Sequence, residues 1–95
     1  MTLDDVLAHR HEILRLAREH EFRAVTVIGS VARGTASESS DLDLLVDPLP
    51  TATLLSLGAF EARLEELLGV GVTALSARAL DPNRDRSFLM GAVEL

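Results

Sequence analysis

Apolar residues return at three- and four-residue intervals through Leu3, Val6, Leu7, Ile13, Leu14 and Ala17, while Asp4, Asp5, Glu12, Arg15 and Glu19 fall mostly between them. That spacing predicts an amphipathic helix over residues 3–20, with Thr2 as its cap and two acids near the positive end of its dipole. The rhythm then changes. Ala24 to Ile28 is a short β-branched run closed by Gly29, which reads as a buried strand. Ser30 to Ala36 suits one or two helical turns, and the polar stretch Ser37, Glu38, Ser39, Ser40 a loop.

Leu42, Leu44 and Val46 alternate with Asp41, Asp43 and Leu45, the period-two signature of a strand with one packed face and one that presents carboxylates. Pro48 and Pro50 end it. A helix from Thr51 or Thr53 to about Leu68 would bury Leu57, Phe60, Leu64, Leu67 and Leu68, expose Glu61, Arg63, Glu65 and Glu66, and stop at Gly69. Val70 to Leu75 reads as a third strand. Asp81 and Pro82 supply an N-cap and a first helical position for a last helix reaching Val93, with Phe88, Leu89, Ala92 and Val93 on its buried side. Helices alternating with strands predict an α/β (α+β) fold, a small mixed β-sheet of about three strands flanked by helices.

Ninety-five residues suffice for one domain spanning 1–95 and are too few for a catalytic domain plus a separate acceptor-binding domain. A composition of 47% hydrophobic and 25% charged residues is that of a folded chain. No apolar run approaches the roughly 20 residues of a membrane span, and the polar start is not a targeting segment, so a cytoplasmic location is expected. The net charge of -6 argues against direct nucleic-acid binding and favours a basic protein partner. Without cysteine, thiol catalysis and cysteine-ligated zinc are excluded.

Candidate chemistry concentrates in two places. Gly29-Ser30-Val31-Ala32-Arg33-Gly34 sits where a strand passes into a helix. There a glycine admits a phosphate close to the backbone, and a serine hydroxyl and helical N–H groups can bond its oxygens. Arg33 would add charge or support the turn from behind. Alone, the hexapeptide also suits a plain strand end and helix start. Asp41 and Asp43, two apart on a strand, leave the same face and can converge on one or two magnesium ions, or else guard a solvent-facing edge. Their combination, a strand-end Gly-Ser, ten residues and then Asp-x-Asp on the next strand, joins a phosphate cradle to a metal site.

Through Gly29, Ser30, Arg33, Gly34, Ser40, Asp41 and Asp43 the chain resembles the nucleotidyltransferase superfamily that includes DNA polymerase beta, and within it the minimal nucleotidyltransferases. The resemblance extends to element order over nearly the whole chain. It implies that Gly29, Ser30, Arg33, Gly34 and Ser40 bind ATP or another nucleoside triphosphate and that Asp41 and Asp43 are catalytic and hold Mg2+. It further implies that AMP is transferred from ATP to a HEPN-type toxin, for which the chain is the antitoxin.

The family's third carboxylate lies in the strand after the long helix, and alignment puts Thr73 there. A threonine hydroxyl is a weak neutral ligand and no base near neutral pH. The alternative expectation is therefore a catalytically degenerate nucleotide- or protein-binding antitoxin module. Asp47 is four residues past Asp43, roughly 13 Å along a strand, and too distant to substitute. Glu61, Glu65, Glu66 and Glu94 have no predicted place at the metal. His9, His11 and His20 read as solvated helix residues. The acceptor, the choice of nucleotide and the oligomeric state are open at this level.

Overall fold

The computed structural model describes residues 1–95. Helices α1 (Leu3–Ala8) and α2 (Arg10–Glu19) lead into strand β1 (Phe22–Ile28) and a short helix α3 (Gly29–Arg33). Strand β2 (Leu42–Pro48), helix α4 (Leu54–Leu68) and strand β3 (Val72–Ser76) follow, then a 3-10 turn (Ala77–Ala79), α5 (Arg86–Leu89) and β4 (Val93–Glu94). One sheet runs in the order β3-β2-β1-β4, with β2 parallel to β3 and β1 antiparallel to both of its neighbours.

The two faces of the sheet follow from alternation. Val25 and Val27 of β1, Leu42, Leu44 and Val46 of β2, and Val72 and Ala74 of β3 are buried. They share one core with Val6, Ile13, Leu16 and Ala17 from the first helices and with Phe60 and Leu64 from α4. The Phe22 and Phe60 rings meet at 5.4 Å between centroids, in the tilted arrangement that aromatic pairs prefer. Leu57, Leu67 and Leu68 are only half-buried, packed at the margin of this core.

Three departures from the sequence expectation have identifiable causes. The first helix breaks at His9, whose ring N–H donates to the Asp5 carbonyl at 2.9 Å. The His9 backbone N–H turns instead to Val6 O at 3.0 Å. Near the chain end, no helix spans 81–93. The Asp81 carboxylate accepts from the N–H groups of Asn83 (2.9 Å) and Arg84 (3.3 Å), which fixes a turn and not a helix start. Gly91 then adopts φ +75°, which ends the helical course and lets Val93 and Glu94 pair with Val27 and Thr26. The sheet thus gains a fourth strand, and Phe88 is 44% exposed and not buried.

The third departure concerns α4. Glu61, half-buried, and Glu65, exposed as expected, both accept hydrogen bonds, from Ala74 N (2.8 Å) and Val72 N (3.1 Å) respectively, so neither is simply solvated. These amides belong to the edge strand β3, so the two carboxylates satisfy N–H groups that a neighbouring strand would otherwise take. Glu66 stays in solvent beside Arg63.

Because Phe60 is fully buried against Phe22 and His20, its replacement by alanine leaves a cavity at the centre of the helix layer. Phe60→Ala is expected to cost about 3–5 kcal/mol in urea-induced unfolding.

Candidate metal and nucleotide site

The site lies where β1 runs into α3 and where β2 begins. Alternation sends Leu42 and Leu44 into the core and Asp43 to the other face, half-buried, with exposed Asp41 on the same side. Asp43 pairs with Ile28 on β1 and with Thr73 on β3. Thr73 therefore stands directly beside Asp43, at the position to which the third carboxylate was aligned, and is exposed.

Two glycines make room for the acids. Gly29 has φ +72°, and a Cβ on it would lie 2.6 Å from Asp43 Oδ2. A Cβ on Gly71 would press on Asp41 Oδ1 and lie 3.0 Å from its Cγ, while Gly71 O accepts from Leu42 N at 2.9 Å. Each carboxylate thus sits in the space where a neighbouring side chain is missing. Gly71 was not anticipated from the sequence, where it falls inside the expected strand Val70 to Leu75 and carries no chemistry of its own; in the structure it lies just before β3. Only the β2–β3 register shows what lies against it.

Burial raises the Asp43 pKa above the ordinary carboxylate value and the Asp41 charge raises it further, with Arg33 opposing both. Two anions held together on one face in partly desolvated surroundings suit a hard cation. No third His, Asp or Glu gathers with them. Asp47 is exposed at the far end of β2 and pairs with Arg23 at 3.3 Å. Glu94 is on β4, two strands from β2. The donor set thus fits one divalent ion completed by water or phosphate oxygens, and Asp41 and Asp43 are the residues that would hold it.

The remaining candidates have distinct placements. Ser30 is half-buried in α3, and its carbonyl accepts from Thr35 N at 2.9 Å. Gly34 closes that helix in the left-handed conformation, φ +75°. With five residues, α3 offers local N–H groups more than a sizeable dipole. Arg33 donates to Ser87 O at 3.2 Å, and its stem lies against Gly91, so it joins the turn to the chain end while its charge is felt at Asp43. The Ser40 hydroxyl accepts from Ser37 N at 3.0 Å, tying up the loop that leads to Asp41. Surface recesses lie elsewhere, one lined by Leu14, Arg18 and Phe22 and another by Pro48, Leu54 and Arg78. The aspartates face an open surface.

A Gly-Ser turn and paired strand aspartates on this sheet define a nucleotidyltransferase-like class of protein. The sequence pattern of the nucleotidyltransferase domain matches residues 12–91, and the chain belongs to that family. The protein adenylyltransferase MntA of Thermococcus cleftensis is 36% identical over 97 residues, which cover 98% of this chain and 95% of that one. A solved structure assigned to the minimal nucleotidyltransferases is 43% identical with a TM-score of 0.83, over 100% of this chain and 97% of the other. A chain in the solved complex of tri-AMPylated Shewanella oneidensis HEPN toxin with MNT antitoxin shares the fold at 14% identity and a TM-score of 0.68, over 93% of this chain and 69% of its own. No helix is long and apolar enough to cross a membrane.

Two outcomes follow from the local geometry. Gly71→Ala crowds the Asp41 carboxylate without touching the core; it is expected to weaken divalent-cation binding about 10-fold or more by titration calorimetry, with little change in thermal unfolding. Because the folded state raises the Asp43 pKa, its protonated form is favoured there. The resulting stabilisation is complete below the unfolded-state pKa and is lost as pH rises through the folded one. Asp43→Asn should therefore raise the melting temperature near neutral pH, and the gain over the native chain should disappear in acid, where Asp43 is protonated in both states.

Proposed function

We propose that this protein is a Mg2+-dependent nucleotidyltransferase that moves AMP from ATP onto a HEPN-type toxin and thereby acts as its antitoxin. The observation that carries the reading is the pair of carboxylates, each seated over a glycine, beside a Gly-Ser turn at the start of a helix. The adenylyltransferase activity named for the Thermococcus relative supports AMP as the transferred group. The AMPylated toxin in the Shewanella complex supports a HEPN-type acceptor.

Asp41 and Asp43 would hold the cation, which supplies positive charge to the triphosphate and to the departing pyrophosphate. Gly29 gives the phosphates access to the backbone, and Ser30 offers a hydroxyl and an N–H. Arg33, anchored on Ser87 O, adds fixed positive charge behind the turn. Gly34 and Ser40 shape the two ends of the connecting loop and with it the approach to the phosphates. An acceptor hydroxyl reaches the site across the open face of the sheet, and a partner protein must present it. A cytoplasmic location suits both ATP supply and such a partner.

One observation favours a second reading. With Thr73 beside Asp43, no third carboxylate is available to take the acceptor's proton, so a nucleotide-binding or partner-binding antitoxin without turnover fits the same geometry. The two readings separate in one experiment. Radiolabelled ATP, Mg2+ and the product of the adjacent gene should give label on that protein, reduced by about 10²-fold or more in Asp41→Asn or Asp43→Asn. Absence of label, with neutralisation of the partner unchanged in both variants, would establish the binding module instead.

A further inference from the structure

We infer that Thr73 restricts this site to a single divalent cation, which enters together with the triphosphate, so that the residue at position 73 sets the metal stoichiometry. The inference rests on the nucleotide-and-metal reading above. Asp43 pairs in register with Thr73, and Asp41 lies against Gly71, the residue just before β3, which contributes no side chain. The protein's charged donors are thus two carboxylates, and no third His, Asp or Glu joins them.

Two carboxylates together with phosphate oxygens and water complete the octahedral shell of one magnesium ion. A second cation about 4 Å away would share the same two acids and repel the first, and its remaining protein ligand would have to come from position 73. A threonine hydroxyl brings a weak oxygen and no charge there. Two acids beside β3 are committed elsewhere. Glu61 and Glu65 hold the amides of Ala74 and Val72 on either side of Thr73, which also fixes the strand against rearrangement. The same neutral residue relieves the metal-free protein, because a carboxylate there would face Asp43 across the strand pair as a like charge.

Bound Mn2+ is counted by electron paramagnetic resonance on the full chain, with and without the non-hydrolysable analogue AMP-PNP. The native chain should bind about one Mn2+ with the analogue and bind it at least about 10-fold more weakly without it. Thr73→Val, which keeps the shape and removes the hydroxyl, should leave the count unchanged. Thr73→Asp should bind a second Mn2+; its metal-free melting temperature should fall below that of the native chain and recover on Mn2+ addition. Two Mn2+ on the native chain, or a single one on a folded Thr73→Asp variant, would overturn the inference while leaving the functional reading intact. Absence of Mn2+ from the native chain even with the analogue would overturn both.

Discussion

The alternation along β2 is the constraint on which the rest of this molecule depends. Leu42, Leu44 and Val46 are fully buried in the core that the sheet shares with the helices, which commits that face of the central strand. With those three committed, Asp43 can only emerge on the opposite face, with Asp41 beside it. A one-residue slip would bury carboxylates and expose leucines, so the register that stabilises the fold is also the register that assembles the site. The like-charge repulsion between the two aspartates is carried by core packing elsewhere.

Space around the acids is shaped by what neighbouring residues lack. Gly29 and Gly71 come from different strand ends, one opening α3 just after β1 and one just before β3, and each leaves the room its carboxylate occupies. Parallel pairing of β2 with β3 brings Gly71 there and brings Thr73 beside Asp43. Glu61 and Glu65 then hold β3 from its outer side, so the edge of the sheet is closed by charge-assisted hydrogen bonds from the helix that precedes it.

Much of this was legible in the chain. Strong periodicity marked α4 and the packed side of β2, and Gly69 ended α4 in the left-handed conformation as expected. Aspartate spacing and the Gly-Ser turn located the candidate site, and the register puts Thr73 where the family pattern aligned it. What escaped was non-local or depended on competition between hydrogen bonds. The use of Glu61 and Glu65 as edge caps needs the packing of α4 on β3. The seat for Asp41 needs the strand register at Gly71. His9 breaks a helix that its apolar spacing supports, through a ring bond to Asp5 O. The final strand is only two residues long, too short for any periodicity, and Val93 looked equally like the last residue of a helix.

Arg33 joins parts of the chain that are far apart in sequence. Its guanidinium rests on the Ser87 carbonyl and its stem against Gly91, 54 and 58 positions further on (87 − 33 and 91 − 33). Two residues beyond Gly91, β4 is stitched to β1, the strand that feeds the Gly29-Ser30 turn. The tail is therefore a mechanical brace for that turn, attached to it from both the strand side and the arginine side. A contact that displaces residues 86–94 would alter the turn without touching an aspartate, which makes the end of the chain a remote handle on the surface beside the carboxylates.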